Sequence, residues 1–172
     1  MSENEPQHHE RMKRLTDAYE RMLEHVSSAI DKAGHETLPT LKRLLADARE
    51  AAVEFGEITR EEAEKVSHWV HRDVEHAAEF QQRTGNELRD WLRFDIEQVE
   101  ARFMDWFALA TDTSRVVLGQ WAERASHYHT GEITGPGRLT CENCGAHVTL
   151  RAAGPVPHCP QCDGTEFQRE EP

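Results

Sequence analysis

The sequence predicts a mainly α protein, an elongated antiparallel helical bundle or coiled-coil hairpin, followed by a small β ribbon. Three observations carry that prediction. Apolar residues recur at steps of three and four from Met12 to Tyr128, the period of helices that bury one face. Three glycines and a proline then crowd into residues 129–137, a composition that ends helices. Two Cys-x-x-Cys pairs follow among short β-like runs. The chain thus divides into a disordered N-terminus 1–7, a helical region 8–128, a glycine-rich linker 129–137 and a ribbon 138–170.

The first stripe, Met12, Leu15, Tyr19, Met22, Val26, Ala29 and Ala33, predicts a helix over about 8–33 that Gly34 ends. Pro39 stands where the first turn of a new helix tolerates it. Leu41, Leu44, Leu45, Ala48, Ala51, Ala52 and Phe55 mark that second helix, with Gly56 just past its end. Thr59 and Glu62 match a capping box, in which the hydroxyl serves the N3 amide and the carboxylate reaches back. Ala63, Val66, Val70, Val74, Ala77 and Phe80 or Gln81 continue the pattern as a third helix.

Thr84-Gly85-Asn86 breaks the pattern, with Asn86 as the next N-cap. The most hydrophobic stretch follows, through Leu88, Trp91, Leu92, Ile96, Val99, Phe103, Trp106, Phe107 and Ala110. The stripe resumes at Val117, Trp121, Ala125 and Tyr128, and residues 111–114 either interrupt the helix or dent it. Short connections between long helices favour antiparallel neighbours. Heptad seams are satisfied equally within one chain or between copies, so a homo-oligomer joined through them stays open. No strand signal precedes residue 137. Beyond it, β-like runs fall at 138–140, 147–151 and 165–169.

At 172 residues the chain has room for one ordinary domain, or for a long helical element plus a small module. Hydrophobic residues make up 37% and charged residues 30%, which suits narrow apolar stripes better than a thick core. The formal net charge is −12, of which −3 falls in residues 131–172. A field of that sign repels phosphate backbones and anionic lipid headgroups and favours basic protein partners. No apolar run approaches the roughly 18 residues of a membrane span. Met1 to Pro6 lacks the basic and apolar regions of a secretion signal. The expected location is the cytoplasm.

All four cysteines fall in one window with the spacing C-x2-C-x14-C-x2-C. Two intervening residues let one tight turn aim both sulfurs at a single ion, and four sulfurs complete a tetrahedron. Gly145 follows the first pair and Asp163-Gly164 the second, so each backbone can turn sharply and aim amides at the thiolates. A forty-residue module also lacks core enough to fold unaided, whereas zinc supplies about 10–16 kcal/mol at such sites. Cys141, Cys144, Cys159 and Cys162 are therefore expected to hold one structural Zn2+. The rival reading is a pair of disulfides or a redox Cys-x-x-Cys, which would need a βαβ setting that the sequence lacks. His147 and His158 lie close enough to compete as ligands, and otherwise read as polar strand and turn residues.

Glu64, His68, His71 and Glu75 share one helix face. A bundle-core metal site needs matching residues on facing helices, so the expectation is a solvated face with Lys65 and Arg72. Trp91, Trp106 and Trp121 fall on or beside the apolar stripe and read as helix packing. No phosphate loop, nucleophile elbow or convergent Ser/His/Asp set appears, so the chain is not expected to be an enzyme.

Three stretches, Glu54-Phe-Gly-Glu-Ile-Thr-Arg-Glu-Glu62, Tyr128-His-Thr-Gly-Glu-Ile133 and the cysteine segment ending in Glu166-Phe-Gln-Arg169, carry a resemblance. On them the chain resembles a family of small proteobacterial zinc-ribbon-containing proteins, YbeL-like, from about residue 8 to 170. The resemblance implies a helical N-terminal region, a C-terminal zinc ribbon and a cytosolic bacterial setting. It implies no catalytic residues. The expected function is a non-enzymatic adaptor that pairs an acidic helical region with a zinc-stapled ribbon and binds a protein partner. The alternative is a nucleic-acid-binding or transcription- or translation-associated factor acting through the ribbon, which its net charge disfavours as a direct contact.

Overall fold

The computed structural model describes residues 4–33, 40–84, 101–111 and 127–169. Within them, helices α1 (Asn4–Ala33), α2 (Leu41–Glu54), α3 (Arg60–Thr84) and α4 (Ala101–Thr111) precede six short strands. These are β1 (His127–His129), β2 (Ile133–Thr134), β3 (Gly137–Cys141), β4 (His147–Leu150), β5 (Gly154–Pro155) and β6 (Glu166–Arg169). The expected break at 85–86, the stripe from Leu88 to Val99, and the course of the chain from 112 through Trp121 to Ala125 lie outside the described residues.

The helical part confirms most boundaries read from the sequence and corrects several. α1 ends at Ala33, ahead of Gly34, but it begins at Asn4, so residues 4–7 are helical rather than disordered. Glu5 in that first turn complements the helix dipole. α2 starts at Leu41 with Thr40 as N-cap, its side chain accepting from the Arg43 amide, so Pro39 precedes the helix instead of occupying its first turn. Gly56 follows the Phe55 cap with a left-handed φ of 68°, a conformation that costs glycine nothing. The capping box is complete: the Glu62 amide donates to Thr59 Oγ1 and the Thr59 amide to Glu62 Oε2, both at 3.2 Å. Ile58 before it and Ala63 after it are both buried, the positions of a hydrophobic staple. Phe55, expected on the α2 stripe, is 78% exposed and forms the C-cap of the helix, its amide donating to the Ala51 carbonyl.

Side-chain pairs fix the direction of the helices. Arg11 and Tyr19 of α1 meet Glu62 and Asp73 of α3, so α1 and α3 run the same way. α2 returns antiparallel to them, with Arg21 of α1 bonded to Glu57 just beyond its end. α1 packs against α2, α3 and α4. That explains why its buried face is wider than the predicted seam: Ala18, Leu23, Ser27 and Ile30 join Leu15, Tyr19, Met22 and Val26. A two-position seam would suffice for a coiled-coil hairpin; three neighbours require the wider face of a bundle. In α3 the expected residues Ala63, Val66, Val70, Val74, Ala77 and Phe80 are all buried, and Trp69 joins them. In α4, Phe107 and Ala110 are buried and Trp106 packs half-buried against the same core.

The ribbon is a four-stranded antiparallel sheet in the order β1-β6-β3-β4, with β2 and β5 paired separately. The three predicted β-like runs correspond to β3, β4 and β6. The segment 129–137 is not a linker, and strands do precede residue 137. Tyr128, expected on a helical stripe, pairs with Phe167 in the sheet. Ile133 is buried in the core of the helical bundle, and residues 133–137 are all buried.

The reason is a polar dock between ribbon and bundle. Asp73 of α3 is fully buried, and its Oδ2 accepts from Tyr19 Oη at 2.6 Å, Thr134 Oγ1 at 2.8 Å and the Gly135 amide at 2.9 Å. Arg72 Nε donates to Asp73 Oδ1 at 3.0 Å, while its Nη groups donate to Glu132 and to the Ile133 carbonyl. Arg169, at the end of β6, is 2% exposed and donates to the Pro136 and Gly135 carbonyls, to Thr134 Oγ1 and to Tyr128 Oη. The Tyr128 ring lies 4.0 Å from the Arg72 guanidinium carbon and 5.3 Å from that of Arg169, within cation–π reach of both. Gly137 leaves the space Arg169 needs: a Cβ there would fall 1.7 Å from Arg169 Nη1.

Burial pushes the Asp73 carboxyl up, but Arg72 and Arg169, with the Tyr19 and Gly135 donors, hold it below the ordinary carboxylate range. A pair broken on one side leaves a buried charge uncompensated, at a cost of about 3–5 kcal/mol. Asp73→Ala is therefore expected to lower stability by that amount in urea titrations at pH 7. A depressed carboxylate stabilises above its unfolded pKa of about 4 and loses that contribution as pH falls through the folded value. The stability gap between wild type and Asp73→Asn should accordingly narrow on acidification below about pH 4; a gap that is flat with pH would contradict the assignment.

Candidate metal centre

The four cysteines lie on two turns of matching construction. In the first, the Cys141 amide donates to the Ala146 carbonyl at 2.8 Å and the Gly145 amide to the Cys141 carbonyl at 2.9 Å. In the second, the Cys159 amide donates to the Gly164 carbonyl and the Asp163 amide to the Cys159 carbonyl, both at 2.9 Å. The residue after the second cysteine is left-handed in each, Gly145 at φ 74° and Asp163 at φ 57°. Asp163 occupies the position that glycine fills in the first turn, as short polar side chains can. Gly164 has another purpose. A Cβ on it would stand 3.1 Å from Cys141 Sγ and 3.2 Å from Cys162 Sγ, so its bare backbone lets the chain close over the sulfurs.

These turns bring Cys141, Cys144, Cys159 and Cys162 together with all four sulfurs within 4.8 Å of one another. Cys141 and Cys162 sulfurs are 3.7 Å apart, and those of Cys144 and Cys159 are 3.5 Å apart. An ideal tetrahedron with metal–sulfur bonds near 2.3 Å has edges of about 3.8 Å. The donor set and its spacing therefore fit one tetrahedral thiophilic ion such as Zn2+. The cysteines are free thiols, not disulfides. Cys141 and Cys159 are buried beside Tyr128, Leu139, Val156 and Phe167 in the ribbon core, and Cys144 is exposed.

The surroundings favour negative sulfur but cannot neutralise four charges. The Asn143 carboxamide donates to Cys162 Sγ at 3.3 Å and, with the Cys144 thiol and the Gly164 amide, lowers Cys162 to about 6. Cys144 moves the other way. The Ala146 amide favours its thiolate, but the sulfurs of Cys162, Cys159 and Cys141 favour the protonated form and carry it up to about 12. Four thiolates this close need a dication to coexist, and one placed at their centre displaces the shared protons.

The histidines weighed as rival ligands lie elsewhere. His147 Nδ1 is bonded to Thr140 Oγ1 at 3.0 Å, and His158 Nδ1 lies 3.5 Å from Asp163. Glu64, His68, His71 and Glu75 do not converge on a common point; among the described residues the four cysteines form the one such group. The face is solvated as expected at Glu64, Lys65 and His68, but Glu75 and Arg72 are buried and His71 is half-buried. Asn143 escaped the sequence reading, and Gly164 was read there only as a turn residue, not as the bare backbone that lets the chain close over the sulfurs. A donor inside the first Cys-x-x-Cys and a glycine two residues after the second pair were the signals available.

The family described as Zinc-ribbon containing domain matches residues 28–171. Uncharacterized protein YbeL of Escherichia coli strain K12 is 32% identical over 134 residues, covering 73% of this chain and 79% of that protein. The same identity and coverage hold for YbeL from the O6:H1 and O157:H7 strains. No solved structure matches the chain.

The close approach of Gly164 to two sulfurs makes it the sharpest test of the geometry. Gly164→Ala should weaken Zn2+ binding by about tenfold or more, since overpacking typically costs about 1–3 kcal/mol, read by competition with a chromophoric chelator. Asp163→Gly keeps the left-handed turn and should bind within a few-fold of wild type. Equal affinities for Gly164→Ala and wild type would contradict the enclosure.

Proposed function

The chain belongs to the zinc-ribbon containing domain family, and on that footing we propose that its four cysteines hold one structural Zn2+ in a non-enzymatic adaptor protein. The observation that carries the reading is the closed donor set: four sulfurs at tetrahedral spacing leave the ion no position for water or substrate. The ion's contribution is folding energy, as it fixes two turns that the small ribbon core could not hold alone. The buried ionisable groups of the dock support the same reading. Asp73, Arg72, Arg169 and Tyr128 are spent on one another in the dock, so none is free to move protons for a substrate.

The adaptor role rests on surface chemistry. A net charge of −12 spread over the chain suits a basic protein partner. The nucleic-acid alternative loses ground with the burial of Arg169. Of the three ribbon arginines, that leaves Arg138, half-buried, and Arg151 to meet phosphates. Among the described residues no helix is long and apolar enough to cross a membrane, and a cytoplasmic location is part of the proposal.

Elemental analysis of the purified chain should return one zinc per molecule, and the cobalt-exchanged protein should show the spectrum of a four-thiolate tetrahedral site. A solvent ligand in that spectrum would sink the structural assignment. Removal of metal by a strong chelator should collapse the amide dispersion of residues 141–164 while far-UV helicity largely persists. Capture from native lysate, followed by mass measurement, tests the adaptor role; the chain recovered alone across lysates and salts would argue against it.

A further inference from the structure

The four cysteines are not equally accessible. Cys141 and Cys159 are 1% and 3% exposed and pack beside Tyr128, Leu139 and Phe167. Cys162 is half-buried and covered from two sides. Asn143 Nδ2 lies 3.3 Å from its sulfur, and a Cβ on Gly164 would stand 3.2 Å away. Cys144 alone of the four is exposed. The space beside it is open, since a Cβ on Gly145 would meet no atom within 4 Å. Two turns of matching construction thus close over one end of the cluster and leave the other in solvent.

This asymmetry decides where a reagent can act. A four-sulfur site has no free coordination position on its ion, so a small molecule meets a sulfur first. Oxidation follows thiolate character and exposure. All four sulfurs are thiolates when they ligate, so exposure makes the choice, and it selects Cys144. The sulfur of Cys159 lies 3.5 Å from that of Cys144. It is shielded from solvent yet within reach of Cys144, the placement of a resolving thiol. The other close pair, Cys141 and Cys162 at 3.7 Å, has one member buried and one covered. Charge narrows the oxidant. Residues 131–172 carry a formal −3, which disfavours the approach of an anion and leaves a neutral hydroperoxide unopposed.

We propose that Cys144 is the site at which a neutral hydroperoxide oxidises the metal centre, with Cys159 as the resolving thiol. The inference rests on the zinc assignment made above. The Cys144 thiolate attacks a peroxide oxygen: the O–O bond breaks, an S–O bond forms, and the departing hydroxide is protonated to water. The Cys159 thiolate then attacks the sulfenic sulfur. The Cys144–Cys159 S–S bond forms, and a second hydroxide leaves and is protonated. Two thiolates, one hydrogen peroxide and two protons become one disulfide and two waters. The sulfurs give up two electrons and the peroxide takes them. Cys141 and Cys162 are then too few to retain the Zn2+.

The test uses the full zinc-loaded chain, its zinc content measured first, so that a failure of the zinc assignment shows before any oxidant is added. Hydrogen peroxide is then supplied with a chromophoric zinc indicator. Cysteine states are mapped by non-reducing mass spectrometry, with and without dimedone as a sulfenic-acid trap. The trap should mark Cys144. Without it, the first disulfide should join Cys144 to Cys159, with one zinc released for each disulfide and Cys141 and Cys162 still thiols. Glutathione disulfide, a bulky anionic oxidant, should release zinc more slowly than hydrogen peroxide at equal concentration. Cys144→His keeps a metal ligand but removes the exposed sulfur, and should slow release by about tenfold or more. Should that variant take up no zinc, the map of the wild-type chain decides. Four results would each overturn the proposal: a first sulfenic acid or disulfide at other cysteines, zinc retained in excess peroxide, equal release from wild type and Cys144→His, or faster release by glutathione disulfide.

Discussion

A carboxylate enclosed by protein persists only if opposite charge lies beside it and donors satisfy its lone pairs. Asp73 meets that condition with groups drawn from three parts of the chain: Tyr19 of α1, Arg72 of α3 itself, and Thr134 and Gly135 of the ribbon entry. None of these suffices alone, so the three parts must come together for the charge to be tolerated. Arg169 then follows from the same need, because Thr134 and the carbonyls of Gly135 and Pro136 turn toward it and its charge faces Asp73. A polar network of this kind, with its members partnered, specifies one arrangement more sharply than apolar packing would.

That network explains what sequence reasoning reached and what it missed. The helices were legible because apolar spacing and caps are local: Thr59 with Glu62, Gly56, and the Val66–Val70–Val74 stripe each state their role within a few residues. The convergence of the four cysteines was legible because two-residue spacing is itself the geometry of the turn. The dock was not legible, since it pairs residues up to 62 positions apart. Yet Asp73 left a trace. It falls on the a/d rhythm Val66, Val70, Asp73, Ala77, Phe80, where a charge on a buried face calls for a partner. Arg169 left a similar one, two residues from Phe167 on an alternating strand, hence on the same inward face. Tyr128 misled because its spacing from Trp121 and Ala125 suits a helix, while its strand pairing depends on β6, some forty residues later.

The stretches that carry the family likeness acquire physical meanings in this light. In Tyr128–Ile133, the tyrosine ring meets two guanidiniums, Gly131 adopts a left-handed φ of 88°, Glu132 binds Arg72, and Ile133 enters the helical core. In Glu54–Glu62, Gly56 ends α2 and the capping box opens α3. These motifs thus describe how the chain is assembled. They place no reactive group in a cleft.

The ribbon is consequently part of the bundle's construction and not a tag tethered by a loose linker. Its own core holds six buried residues, two of them cysteines, too few to order forty residues unaided. Two sources make up the difference at opposite ends of the sheet. Ordered sulfurs fix the two turns, and the Arg169–Tyr128–Asp73 dock fixes β1 and β6 to α3. β6 links them, since it begins four residues after Cys162 and ends at Arg169. Strain or disorder at the turns is therefore passed along one short strand to a buried arginine, whose displacement would leave Asp73 with part of its charge unanswered.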